Sequence, residues 1–210
     1  KLGIPGEDLK GIIGAVEFLQ DVNLERNPKI GKKVAIIGGG NAAIDAARTI
    51  LRLGAENVDI IYRRKREDMP ADKKEIAEAE REGIKIHFLT APVRMIGEEG
   101  NLVKMECVKM SLGEFDRSGR RRPIEIKDSN FSIDVDMVIS AISQRPDMTV
   151  LSRMQKVETT RWSTIVTDPR TLASSEPGIF AGGDCVHGPD TVIQGIADGR
   201  KAAKEIDKYL

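Results

Sequence analysis

The spacing of apolar residues along this chain changes several times, and each change predicts a new element. Leu9, Ile12, Ile13, Val16 and Leu19 follow helical spacing, which predicts an amphipathic helix over residues 8–24. Gly11 and Gly14 weaken it from inside, and Asn27-Pro28 and Gly31 end it. Val34-Ala35-Ile36-Ile37 is then continuously apolar, which predicts a strand covered on both faces. Helical spacing returns over 41–53, where Ile44, Ala47, Ile50 and Leu51 share one face and Gly54 supplies the stop. Residues 57–62 form a second strand, so 32–64 reads as a βαβ unit. After the break at Met69-Pro70 comes a charged helix over 71–82, with a thin apolar face at Ile76, Ala77 and Ala79. Gly83 ends it, and a third strand spans 84–89.

Between residues 92 and 135 the period drops to two. Val93 to Ile96, Leu102 to Met110 and Pro123 to Lys127 alternate apolar and polar residues, punctuated by 97–101 and by Arg117-Ser118-Gly119. This predicts an antiparallel meander inserted into an α/β domain. Its methionines read as packing residues. Residues 137–142 return to a buried strand. It runs into Ser143-Gln144-Arg145-Pro146-Asp147, a candidate wall for a bound nicotinamide, since ligands of parallel sheets sit beyond the carboxyl ends of strands. A short meander with a strand at 164–166 follows. Next comes a short buried strand within 177–184 that ends in Gly182-Gly183-Asp184, and then a helix from Thr191 to Ala203. The implied fold is α/β: a Rossmann-like three-layer NAD(P)-binding domain over 32–147 with the β insertion, after a lead-in segment and helix over 1–31.

Composition narrows the function. The 210 residues carry 33 basic and 33 acidic side chains, 40% hydrophobic and 31% charged, and this neutrality argues against a nucleic-acid partner. No apolar stretch approaches the ~20 residues of a membrane span, and no signal-peptide pattern opens the chain. Cys107 and Cys185 form no CxxC pair, and His87 and His187 give no metal spacing. A reducing, cytoplasmic setting is the expectation.

The chemistry-bearing stretch is Gly38-Gly39-Gly40-Asn41-Ala42-Ala43, a GxGxxA turn between strand and helix. Gly38 permits the tight turn, and Gly40 lets the backbone approach a pyrophosphate. Ala43 keeps the helix close to the strand. The first N–H groups of the helix then face the phosphates. A glycine-rich structural turn is the competing reading. The second strand ends at Tyr62-Arg63-Arg64, with no carboxylate until Glu67. An NAD site tends to carry Asp or Glu there for the ribose hydroxyl, and an NADP site carries Arg for the 2′-phosphate. Arg63 and Arg64 therefore favour NADP(H) over a merely solvated basic corner. Asp45 either supports the site from the helix start or is a solvated position. Gly182-Gly183-Asp184 suits a flavin contact, with a carboxylate for a ribityl hydroxyl and a helix N-terminus near Thr191-Val192 for the ring. Taken alone, that element is equally a plain turn.

Taken together, IPGEDL, VAIIGGGNAAIDAART, IIYRR with MPA, LGEFDRSGRRRP and IFAGGDCVHGPDTVIQGIADGRKAA resemble one family across essentially the whole chain. They are similar to the flavin-dependent NADPH oxidoreductases typified by the small (β) subunit of bacterial glutamate synthase. Relatives include the NADPH-binding part of dihydropyrimidine dehydrogenase and the electron-bifurcating ferredoxin:NADP oxidoreductases. The resemblance implies that NADPH reduces FAD and that electrons leave through iron–sulfur clusters to a partner subunit or domain. It implies that Gly38, Gly40, Asn41 and Ala42 hold the pyrophosphate and that Arg63 and Arg64 hold the 2′-phosphate. Gly183, Asp184, Thr191 and Val192 would belong to the FAD site, with no catalytic acid or base required.

The family's first FAD-binding glycine motif and its iron–sulfur cysteines are not in this sequence, and Ser143 stands where AIGQ has glycine. The expectation is a fragment: a complete NADP domain joined, over 148–210, to the C-terminal part of the FAD domain of a two-dinucleotide-binding flavoprotein. The alternative is a non-catalytic NADP-binding module of a larger assembly. A thiol-dependent disulfide reductase shares the plan but needs a dithiol that Cys107 and Cys185 do not supply.

Overall fold

A computed structural model describes residues 2–115, 119–142, 149 and 156–210, and the chain divides into two units, Lys1–Ile142 and Ser143–Leu210. The first unit begins with β1 (Ile12–Gly14), α1 (Ala15–Asn23), β2 (Lys33–Ile37), α2 (Asn41–Arg52), β3 (Asn57–Ile61), a 3₁₀ turn (Arg66–Asp68), α3 (Lys73–Arg81) and β4 (Lys85–His87). It continues through β5 (Thr90–Glu98), β6 (Asn101–Phe115), β7 (Arg121–Glu125), β8 (Phe131–Asp134) and β9 (Met137–Ser140). Strands β1, β9, β2, β3 and β4, in that spatial order, form a wholly parallel sheet.

Three layers follow from the strand alternation. Val34, Ile36, Val58, Ile60, Met137 and Ile139 face α1, α2 and α3, packing with Phe18, Ile44, Ala47, Ile50 and Ile76. Their neighbours Ala35, Ile37, Ile61 and Val138 face the other way, onto Met95, Leu102, Met105, Cys107 and Val135 of the antiparallel insertion. The continuous apolar run at 34–37 is thus explained by a helical layer on one face and a β layer on the other. The methionines of the insertion pack as expected: Met95 and Met105 are buried. Strand β6 pairs with β5 and β8 along its first part. Beyond Met110, among the described residues, it pairs only with β7, as a two-stranded ribbon.

The predicted helix over 8–24 is corrected at its start. Gly11 has φ +102°, and Ile12–Gly14 form a strand whose Ile12 and Ile13 lie opposite Val138 and Ile139 of β9. Adjacent isoleucines suit both periods. Here Ile12 packs toward the insertion and Ile13 toward the helices, which only a strand allows. The helix occupies Ala15–Asn23 alone.

In the second unit, α4 (Asp184–His187) precedes α5 (Val192–Tyr209), which outruns its predicted end. The strands expected at 164–166 and within 177–184 are corrected to isolated bridges, Thr159 with Ile165 and Ala173 with Phe180. Turns separate them, with Ser163 and Leu172 at positive φ, and Ile179 and Phe180 are only half-buried. The unit is tied by Asp198, buried on α5. Its carboxylate accepts Gly183 N–H at 2.7 Å, Gln194 Nε2 at 2.9 Å and His187 Nε2 at 2.9 Å. The Gly183 N–H, foremost, holds the Asp198 carboxyl below the usual carboxylate range, against the opposing effect of burial.

Gly38 closes the first unit at its centre. Its φ is +147°, its N–H donates to Ile61 O at 3.1 Å, and an added Cβ would lie 2.5 Å from Ala141 O. Gly38→Ala is expected to lose about 2–3 kcal/mol of stability through backbone strain and clash, read as a lower midpoint in urea. Because the folded Asp198 carboxyl titrates below its unfolded value, its contribution is complete above the ordinary carboxylate pKa of about 4. It is lost as pH falls below that value. In thermal melts Asp198→Asn should remove this acid-side loss and lower the midpoint at neutral pH.

Candidate dinucleotide site

The site grows from the carboxyl end of β2. The chain runs from β2 to β3 and β4 on one side, whereas β9 and β1 pair on the other, so a topological switch point lies between β2 and β9. Such points open a crevice beyond the strand ends, and the turn Gly38-Gly39-Gly40 sits there.

The three glycines answer to three different neighbours. Gly38 is required by Ala141 O. Gly39 is required by Tyr62, whose ring atoms would stand 2.5 Å from an added Cβ. Gly40 has ordinary extended backbone, φ −89° and ψ 177°, and the nearest atom to an added Cβ is Pro70 Cγ at 3.9 Å. Among the described residues nothing demands glycine at 40. The space left by its missing side chain lies over the start of α2, where the first N–H groups have no intrahelical acceptor. This is a cradle of the kind that suits an anionic group such as a pyrophosphate. Asn41 adds a second role, because its Oδ1 accepts Asp72 N–H at 3.0 Å and holds the loop before α3 against the cradle. Ala71 N–H donates to Gly39 O at 3.2 Å on the same side. Ala43 is fully buried, which keeps α2 close to the sheet, whereas Asp45 is exposed.

At the end of β3 the two arginines part. Arg63 is exposed. Arg64 is 5% exposed, and its Nε donates to Arg121 O, 2.9 Å away on the β6–β7 ribbon. Tyr62 lies between them and the glycine turn, its hydroxyl donating to Asp68 O at 2.6 Å. Burial foremost pushes the Tyr62 phenol up, while the positive charges of Arg64 and Arg120 pull it down. Sequence spacing placed Arg63 and Arg64 at the strand end but missed the arrival of the ribbon and its arginines. The signal was present in Arg120-Arg121-Arg122 as a second basic run, without any indication that it folds back onto β3. The proposed nicotinamide wall, Ser143 to Asp147, lies outside the described residues, as do Arg117 and Ser118.

In the second unit, Gly183 has φ +67° and caps α4, whose first residue Asp184 is exposed. Gly182 is held free of a side chain by Asp198, whose Cβ would lie 2.6 Å from an added one. Thr191 caps α5 by accepting Gln194 N–H at 3.3 Å, and Val192 and Ile193 beside it are 80% and 79% exposed. Asp198 and His187, which fasten this turn, were not singled out from sequence. Asp198 stands in an ordinary helical pattern and His187 in the turn before that helix, and only the fold brings them to Gly183. Cys107 is wholly buried, and burial pushes its thiol up to about 12, so it is inert as a nucleophile. Among the described residues no cluster suited to a metal ion occurs, and no helix is long and apolar enough to cross a membrane.

Known proteins share this plan. The chain is 47% identical over 213 residues to the NADP(+)-dependent formate dehydrogenase subunit beta of Moorella thermoacetica, covering 100% of this chain and 30% of that protein. It is 33% identical over 228 residues to the glutamate synthase (NADPH) small chain of Escherichia coli, covering 99% and 47% respectively. The chain thus spans less than half the length of these curated relatives. Two solved structures share the fold: Mycobacterium tuberculosis FprA in complex with NADPH (TM-score 0.76, 19% identity, 100% of this chain and 60% of that one) and T. acidophilum thioredoxin reductase (TM-score 0.71, 22% identity, 99% and 61%). The family model described as pyridine nucleotide-disulphide oxidoreductase matches residues 1–199. With that match over a glycine cradle at the switch point of a three-layer α/β unit, this chain belongs to the pyridine nucleotide-disulphide oxidoreductase family.

Proposed function

We propose that this chain is the NADPH-binding part of a flavin-dependent oxidoreductase of the glutamate synthase small-subunit kind. In the whole protein, hydride passes from NADPH to FAD, and electrons continue through iron–sulfur clusters to a partner subunit or domain. The observation that carries the reading is Gly40: a glycine with ordinary backbone angles and open space at its α-carbon, at the mouth of a parallel-sheet crevice. No described residue requires glycine there, and the close approach of a ligand would.

Gly40, Asn41 and Ala42 bind the pyrophosphate through backbone N–H groups and the α2 dipole, and Gly38, whose own N–H is taken by Ile61 O, makes the tight turn that presents them. Arg63 pairs with the 2′-phosphate. Arg64 contributes its charge while its Nε holds the ribbon. Gly183, Asp184, Thr191 and Val192 take the FAD half, where the exposed Val192 and Ile193 offer an apolar edge of the kind a flavin ring covers. The chemistry supplied by the bound cofactors is hydride transfer from nicotinamide C4 to flavin N5. The residues of this chain orient and shield, and none is required to move a proton. The FprA structure, solved with NADPH on the same fold, and the NADPH in the relatives' names support the cofactor choice.

Gly40→Ala should fold as the wild type does, with a melting midpoint changed by no more than about 0.5 kcal/mol in stability. It should bind NADP+ at least roughly tenfold more weakly in calorimetric titration, because the methyl occupies the pyrophosphate approach. Unchanged binding would remove the pyrophosphate from this turn. Arg63→Ala should weaken NADP+ by roughly ten- to a hundredfold, the loss of a charge-assisted hydrogen bond of about 1.5–3 kcal/mol. It should leave NAD+ affinity nearly unaltered. An equal loss for both dinucleotides would contradict the 2′-phosphate assignment.

A further inference from the structure

We propose that Asp198 is the positioning residue of the flavin half-site: its buried carboxylate fixes the turn that carries Gly183 and Asp184 onto the start of α5, which carries Thr191 and Val192. This rests on the reading of those four residues as FAD contacts.

The four residues stand on two separate elements. Gly183 and Asp184 lead into α4, whereas Thr191 and Val192 open α5. Asp198 lies in the second turn of α5, and its carboxylate reaches both ends of α4. Oδ2 accepts Gly183 N–H at 2.7 Å, just ahead of α4, and lies 2.9 Å from Nε2 of His187, the last residue of α4. Oδ1 accepts Gln194 Nε2 at 2.9 Å, which steadies the carboxylate from the first turn of its own helix.

The turn is built around that carboxylate. Gly183 has φ +67° and ψ −148°, a conformation that essentially only glycine adopts. Its carbonyl accepts Val186 N–H at 2.9 Å and His187 N–H at 3.0 Å, and Gly182 O accepts Cys185 Sγ at 3.1 Å. With both carbonyls engaged by α4, the Gly183 N–H is left to Asp198. Gly182 makes room for Asp198 itself, and a Cβ added at Gly183 would lie 3.6 Å from Gly195 Cα in the first turn of α5. The loop between the helices adds a longer tie, Asp190 N–H to Asp184 Oδ1 at 3.3 Å. A buried ionic cluster is a weak source of stability beside an apolar residue of similar volume. What Asp198 supplies is direction: through one carboxylate, Asp184 is placed with respect to Thr191 and Val192.

The test is FAD titration of the whole protein, prepared free of flavin, for wild type, Asp198→Ala, Asp198→Asn and Tyr209→Ala. It is read by flavin fluorescence and by the visible circular dichroism of the bound flavin. Tyr209 meets the Phe180 ring at 5.9 Å between centroids at the far end of α5, so Tyr209→Ala loosens the helix away from the turn. Asp198→Ala should raise the FAD Kd about tenfold and alter the flavin dichroism at saturation, while the NADP+ Kd changes less than about twofold. Asp198→Asn keeps an acceptor for Gly183 N–H without the charge and should fall between it and wild type. Tyr209→Ala should lower the melting midpoint and keep the wild-type FAD Kd and dichroism. If Asp198→Ala binds FAD as wild type does, the proposal is overturned alone. Should that variant not fold, Asp198→Asn decides, and an unchanged FAD Kd and dichroism would overturn the proposal. Equal weakening of FAD by Asp198→Ala and Tyr209→Ala, with the dichroism unchanged, assigns Asp198 to stability only and likewise overturns it. A wild-type protein that takes up no FAD removes the flavin reading and the proposal with it.

Discussion

A strand that is apolar on both faces has to be covered twice, and in this molecule that constraint falls on β2. Ala35 and Ile37 point to the antiparallel insertion, and Val34 and Ile36 to the helices. Once β2 is central, β3 and β9 flank it, and the chain must reverse its direction of winding at the β2–β9 seam. The crevice at that seam is a consequence of the topology. It needs no residue of its own beyond a turn tight enough to clear the neighbouring strand ends. Gly38 meets Ala141 O and Gly39 meets the Tyr62 ring, so both are demanded by packing. Gly40 is demanded by neither, so the motif holds one glycine that packing among the described residues does not require.

The insertion serves the fold and the site together. Its first part buries Met95, Leu102 and Met105 on the sheet, which is ordinary hydrophobic stabilisation. Beyond Met110 the ribbon has no sheet to cover and leaves Phe115 and Ile124 exposed. What it does hold is the guanidinium of Arg64, through Arg121 O. A buried arginine is costly to desolvate unless its donors are met, and the ribbon carbonyl meets one of them. The second unit uses the same device with opposite charge: the buried Asp198 carboxylate is met by Gly183, Gln194 and His187, and this orders the glycine turn at 182–183.

Much of the first unit was legible from residue order. The run at 34–37, the GxGxxA turn and the helical face of Ile44, Ala47 and Ile50 each have a period that only one element satisfies. The inserted meander was legible from a near-alternation over Leu102 to Met110, interrupted only at Leu102-Val103 and Cys107-Val108. Ile12 and Ile13 were not, because two adjacent β-branched residues satisfy either a helix stripe or a two-faced strand. Pairing with Val138 and Ile139, more than a hundred residues away, decided between them. In the second unit, Ile165 and Phe180 have strand composition but reach their partners only as single bridges, so composition overstated regularity. At the site, spacing along one βαβ unit located Arg63 and Arg64. It could not reveal that Arg64 turns toward a ribbon nearly sixty residues downstream, nor that Asp198 returns to Gly183.

The central claim is that the crevice at the β2–β9 seam takes NADPH. Calorimetric titration of the unaltered chain with NADP+ and NAD+ in parallel tests it most directly, since affinity is read without any requirement for flavin or partner. The account predicts one NADP+ site per chain, with NADP+ bound at least roughly tenfold more tightly than NAD+, a difference of about 1.4 kcal/mol. Absence of binding, or tighter binding of NAD+, would contradict it.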